Sequence, residues 1–162
     1  MKISDSMVSA INDQIKAELD SAYIYLAMSA YFKAEGLDGM ASWMKKQYAE
    51  EVEHAERFMN YLYERGARLI IPDVAKPRES YADALEVFKT AYEHEQYVTS
   101  RIYKLVDQAV AEKDYATQSL LQWYVDEQME EEDNTSSIVS KLEFLGTDKH
   151  GIYTVDRELS LR

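Results

Sequence analysis

The amino-acid sequence predicts an all-α fold: a four-helix bundle built from two antiparallel hairpins, with a long crossover between them and a short fifth helix at the C-terminal end. Three observations carry this reading. All five glycines and both prolines fall in three places, which leaves long stretches free of helix breakers. Those stretches repeat apolar residues at alternating steps of three and four, the period of a helix with one buried face. Near the middle of each apolar stripe stands an ionisable residue.

The elements follow in order. Helix α1 is expected at about 5–35, capped by Ser4 or Asp5 and closed by Gly36. Helix α2 is expected at about 39–65, entered at Asp38 and closed by Gly66. The turn between them is short, so the two must be antiparallel neighbours. About fourteen irregular residues with Pro72 and Pro77 come next, long enough to travel the length of a bundle. Helix α3 is expected from near Ser80, where Ser80-x-x-Asp83 reads as a capping box, to about Glu112, and helix α4 from Asp114 to about Leu145. The tail from Thr147 to Arg162 has room for a short α5 at about 152–160. With 162 residues, 46% of them hydrophobic, the chain suits one domain with one core.

Composition narrows the function. A formal net charge of −12 argues against a nucleic-acid partner, since neutralising phosphates needs a basic face, whereas an acidic protein attracts cations. The absence of cysteine excludes disulfides, thiolate metal sites and thiol catalysis, and fits a reducing cytoplasm. No apolar run is long enough for a signal peptide or a membrane span, so no membrane partner is expected.

The stripes place the polar residues. Along α1 the stripe reads Val8, Ile11, Ile15, Glu18, Ala22, Tyr25, Ser29 and Phe32; along α2 it reads Met40, Met44, Gln47, Glu51, His54, Phe58 and Tyr61. Along α3 it reads Ala84, Phe88, Ala91, Glu95, Val98, Ile102, Leu105 and Ala109, and along α4 Leu121, Tyr124, Gln128, Glu131, Thr135, Ile138, Leu142 and Leu145. Counted from the turns at about 1.5 Å per residue, Glu18 meets Glu51 and His54 within about two helical turns, and Glu95 meets Gln128 and Glu131 likewise. Both hairpins bring their polar residues to mid-bundle.

Four carboxylates buried together cost several kcal/mol each unless they are protonated or balanced by positive charge. Two divalent ions would balance Glu18, Glu51, Glu95 and Glu131 charge for charge. Oxygen donors with one imidazole suit iron better than the closed nitrogen and sulfur sites of zinc. A pair of Fe(II) ions also matches dioxygen, because each yields one electron and reduction to the peroxide level takes two.

Each feature has a plainer reading as well. A lone Glu-x-x-His such as Glu51 to His54 is more often a surface pair. Tyr25, Trp123 and Tyr124 are by default core or rim aromatics. The run from Glu130 to Asp133 is by default a solvated face, from which only Glu131 is drawn inward. His94 points off the stripe and is expected to be exposed, and His150 has no evident partner. A non-catalytic scaffold, with a polar network fixing helix register, is the competing reading from another class.

The chain resembles the bacterial non-haem ferritins from its first helix to its tail. The matching stretches are Asn12-Asp-Gln-Ile-Lys-Ala-Glu18, Tyr23-Ile-Tyr25, Trp43-Met-Lys-Lys-Gln47, Glu50-Glu51-Val-Glu-His54, Glu95-Gln96, Trp123-Tyr-Val-Asp-Glu-Gln-Met-Glu-Glu-Glu132, and Gly151 to Leu159 in the short last helix. The resemblance implies that Glu18, Glu51 and His54 hold one iron and that Glu51, Glu95 and Glu131 hold the second, with Glu51 bridging. It implies that Gln128 and Tyr25 stand beside the pair, and that Glu50, Glu127 and Glu130 form an outer third site with Glu131. It further implies ferroxidase activity with O2 or H2O2 as oxidant, and a cage of two dozen subunits that stores ferric mineral.

The ferritin-like bundle with a Glu-x-x-His on each of two helices is not fully met here, because α4 offers Gln128-x-x-Glu131 instead. That speaks against bacterioferritin, and with no clear methionine ligand on a stripe no haem is expected. The lack of cysteine removes the rubredoxin part of a rubrerythrin, and the mini-ferritins match less well because their iron sites span two subunits. A di-iron oxidase or peroxidase that stores nothing remains the alternative within the enzymes.

Overall fold

Capping side chains decide where the helices begin. The structure is a computed structural model and describes residues 2–162. Helix α1 spans Asp5–Ala34, and the Ser4 hydroxyl accepts from the Met7 amide at 3.0 Å, satisfying one of the donors that a helix start leaves open. Gly36 closes it with φ at 76°. Helix α4 spans Tyr115–Leu145, with Asp114 accepting from Thr117 N at 3.2 Å.

The remaining starts differ from the sequence expectation. Helix α2 spans Asp38–Glu64, but Asp38 is its first turn and no side chain of the preceding segment caps it. Its start is capped from far away instead: Asp156 Oδ1 accepts from Met40 N at 2.8 Å. Helix α3 spans Ala84–Ala111, later than expected, because the reciprocal cap uses Asp83 and Glu86 rather than Ser80 and Asp83. Asp83 accepts from Glu86 N at 2.8 Å and the Glu86 carboxylate reaches back to Ala82 N at 2.5 Å. Helix α5 spans Lys149–Leu159, starting three residues earlier than expected because Asp148 caps His150 N and Gly151 N.

Helices α1 and α2 pair closely, as do α3 and α4, and α1 lies against α3, whereas α2 and α4 approach no more closely than their long side chains allow. The crossover between Glu64 and Ala84 is pinned to α1 by Asn12, whose amide donates to Arg68 O at 3.1 Å and accepts from Ile70 N at 2.7 Å. Every residue of the four stripes is buried except Val8 and Leu145, which are half-buried. The apolar ones form two separate cores, one around Phe32, Met40 and Phe88 and one around Ile11, Phe58 and Ile102. Between them lies the polar layer. Among the described residues there is no strand, and no helix is long and apolar enough to cross a membrane.

Candidate metal centre

The polar layer is buried from all sides. Glu18, Glu51, His54, Glu95, Gln128 and Glu131 are each at most 3% exposed. The helical period that buries Ile15 and Ala22 leaves no other direction for Glu18, and the same holds for Glu95 between Ala91 and Val98.

Glu18, Glu51 and His54 each offer one ligand atom within 4.8 Å of the others. His54 Nδ1 lies 3.4 Å from Glu51 Oε2. Two atoms of this group, Glu18 Oε2 and His54 Nδ1, are buried with no hydrogen-bond partner. Buried polar atoms are almost always paired, so two orphans within one group of converging ligands indicate a site built for a cation. A carboxylate oxygen and a neutral imidazole nitrogen are donors of the kind that iron accepts.

The expected second set is less converged. Glu95 is held by the Tyr25 hydroxyl, which donates to Oε1, and by Gln128, whose amide donates to Oε2 at 3.1 Å. Glu131 accepts from Gln47 Nε2 at 2.7 Å. Instead, His54, Glu127 and Glu131 form a second group within 4.8 Å, with His54 Nε2 lying 3.8 Å from Glu127 Oε1. One imidazole thus faces the buried group with one nitrogen and the outer carboxylates with the other.

Burial dominates the electrostatics. It raises the Glu18 carboxyl to about 7 and the Glu131 carboxyl to about 8, and it pushes Glu51 well up, a shift reinforced by Glu95, Glu18 and Glu131. Burial raises Glu95 as well, against the stabilising hydrogen bonds from Tyr25 and Gln128. His54 is pushed down to about 4 by burial and by the Arg57 cation, so it is a neutral ligand at neutral pH. The Tyr25 hydroxyl is raised well above its ordinary value, by burial first and then by Glu95, Glu51 and Glu131, and keeps its proton as a donor.

The outer residues lie at the rim. Glu127 is half-buried and Glu130 exposed, and Glu127 is raised by burial, then by Glu130 and Glu50, which places the three acids within each other's field. Glu50 is engaged by Arg162, which binds both of its oxygens at 3.0 and 2.7 Å. A cleft of about 570 Å³ opens beside His54, lined by Glu50, Glu53, Glu56, Glu64 and Glu127 among others.

Gln14, Trp123 and His94 lie off the stripes, and Tyr124 lies on one but reads there only as a core aromatic. Gln14 donates to Glu18 Oε1 at 2.9 Å from one turn earlier, a spacing that could have pointed to it. Tyr124 donates to the His54 carbonyl at 2.7 Å, and Trp123 meets the His54 ring edge-on at 5.4 Å, so both aromatics belong to the wall of the site. His94, expected to be exposed, is half-buried; its Nε2 pairs with Ser21 Oγ at 2.7 Å, and burial lowers it to about 4.

The ferritin family, described as a ferritin-like domain, matches residues 8–145. A probable bacterial non-heme ferritin-like protein of Haemophilus influenzae is 41% identical over 157 residues, covering 97% of this chain and 95% of its own. A bacterial non-heme ferritin of Bacteroides fragilis is 42% identical over 160 residues, covering 99% of each. Among solved structures, an open-pore ferritin from the hyperthermophilic archaeon Archaeoglobus fulgidus superposes with a TM-score of 0.98 at 46% identity, covering 99% of this chain and 98% of its own.

Proposed function

The chain belongs to the ferritin family, and from that premise we propose that it is an iron-storage subunit with ferroxidase activity. Its substrates are Fe(II) and dioxygen or hydrogen peroxide. The observation that carries the reading is the buried group of Glu18, Glu51 and His54 with its two unpartnered donor atoms. On this reading Glu18, Glu51 and His54 hold one Fe(II), and Glu51, Glu95 and Glu131 hold the other. Glu51 touches both and is the catalytic carboxylate. The bound pair supplies two electrons, the number that takes dioxygen to the peroxide level.

The protein's own residues prepare that event. Tyr25 and Gln128 orient Glu95, and Gln47 orients Glu131. The two apolar cores above and below exclude water, so charge placed in the layer is felt strongly. Raised carboxyls give up their protons as metal enters, because ligand oxygens must be ionised. Glu127 and Glu130, beside the Glu50 that Arg162 holds, offer an outer site through which oxidised iron moves toward a mineral inside a multi-subunit cage, expected to hold 24 copies.

Site variants test this reading. Glu51→Ala and His54→Ala are expected to slow aerobic Fe(II) oxidation by orders of magnitude while circular dichroism shows the helices intact. Oxidation at the wild-type rate in either variant would sink the assignment.

A further inference from the structure

Two side-chain relays of identical composition reach the centre from opposite sides. On the α1 side, Gln14 Nε2 donates to Glu18 Oε1 at 2.9 Å, and Gln14 Oε1 accepts from Arg101 Nε on α3, also at 2.9 Å. Arg101 is fixed in turn by its bond to Asp13 O at 3.1 Å. On the α4 side, Gln47 Nε2 donates to Glu131 Oε2, and Gln47 Oε1 accepts from Arg162, beyond the end of α5. Arg162 is held by Glu50 and lies over the Trp43 ring at 5.0 Å.

The order of donors in each relay is forced by chemistry. A carboxamide can turn either end toward a neighbour, and the wrong end would set a carbonyl oxygen against a carboxylate. Arginine has donors only, so the amide end that faces it must be oxygen, and the NH2 is thereby driven onto the glutamate. Gln14 and Gln47 are 1% and 0% exposed, so neither can relieve a wrong orientation with water. Each relay occupies one oxygen of its glutamate. Glu18 keeps Oε2 without a partner.

Building on the di-iron reading above, we propose that Arg101 and Arg162 are positioning residues, which lock Gln14 and Gln47 so that Glu18 and Glu131 each present a single oxygen to the metal pair. One relay serves each position of the pair. On that reading Glu18 belongs to the position with Glu51 and His54, and Glu131 to the position with Glu51 and Glu95. The two arginines also bring positive charge from opposite sides to a layer of four carboxylates. Outer groups that orient metal ligands typically account for about 10–100-fold in metal affinity, and here that dependence is divided between two residues far apart in the chain.

The test is calorimetric titration of the apoprotein with Zn(II) alone, read as affinity and not as activity. Arg101→Met and Arg162→Met keep the length and packing of the stem while removing every donor; Arg101→Lys and Arg162→Lys restore a single donor nitrogen and the charge. We expect the wild type to show two affinity classes, Arg101→Met to weaken only the tighter by about 10–100-fold, and Arg162→Met to weaken only the weaker by a similar factor. The lysine variants should recover most of each loss. Two classes in the wild type that persist unchanged in both methionine variants would overturn the relays and leave the di-iron reading standing. Loss of both classes together in each variant would also overturn them, since a merely structural defect acts in that way. A wild type that binds no Zn(II) would instead remove the di-iron reading itself.

Discussion

At the scale of the residue, the centre is a set of donors whose ordinary ionisation has been displaced by burial. Burial lifts the Glu18 carboxyl to about 7 and the Glu131 carboxyl to about 8, with Glu51 and Glu95 also raised, from the ordinary value of 4.5. The folded apoprotein therefore holds more protons than the unfolded chain between these values. Its contribution is complete below about 4.5 and is lost as pH rises through about 7 and then about 8. His54 and His94, both lowered to about 4, act in the opposite sense, but only below about 6.5. From about pH 6.5 to about pH 8 the carboxyls set the slope, at about 1.4 kcal/mol per pH unit for each extra proton held. Thermal unfolding of the apoprotein should shift to lower temperature across that window, and Zn(II) loading should abolish the shift; a midpoint that rises with pH would contradict the displacement. A second expectation follows from ligand type. Imidazole nitrogen binds first-row divalent metals better than carboxamide oxygen, so the position with His54 should fill first, and His54→Ala should remove the tighter class in a Zn(II) titration. Persistence of that class in the variant would refute the inequality.

At the scale of the element, α5 fastens the start of α2. Asp156 supplies the cap that the residues before α2 lack, and a Cβ at Gly39 would lie 1.7 Å from Asp156 O. Gly39→Ala should therefore push α5 off the bundle, at a cost of about 1–3 kcal/mol. Hydrogen exchange should show residues 149–162 losing protection while the middles of α1 to α4 keep theirs; unchanged protection of α5 would contradict the close approach. The elements also show how much a sequence can disclose. Stripes with a period of three and four were legible from Ile11 to Leu142 because each helix buries one face and its neighbours in sequence determine that face. Glu18, Glu51, His54, Glu95 and Glu131 were legible as buried residues because an ionisable group on an apolar stripe is carried inward with its neighbours. The cap of Met40 by Asp156, and the bonds from Arg101 to Gln14 and from Arg162 to Gln47, join residues 116, 87 and 115 positions apart. No local pattern encodes such pairs, since they exist only after the helices have packed. The start of α3 was misplaced for a related reason: Ser80 and Asp83 match the letters of a capping box, but Asp83 and Glu86 satisfy its geometry.

At the scale of the whole molecule, the arrangement is a polar layer held between two apolar cores, to which all four long helices contribute. Separate cores flank the layer on both sides, so a group of buried ionisable residues is accommodated without relying on its own contacts for structure. The acidic cleft beside His54 and a net charge of −12 bias the field toward cations. A scaffold with the same network would share the fold and the buried hydrogen bonds, and an oxidase without storage would share the metal pair as well. Only turnover coupled to retention separates storage from both. The most direct measurement is to add Fe(II) aerobically to the apoprotein, in large excess over the ligands of the centre, and to follow iron and protein together by sedimentation velocity. The expected result is rapid oxidation and one large, uniform particle in which iron co-sediments with protein far beyond the few ions per chain that Glu18, Glu51, His54, Glu95 and Glu131 could bind. Iron that stays at or below that small number, or that precipitates apart from the protein at the rate of a protein-free control, would contradict it.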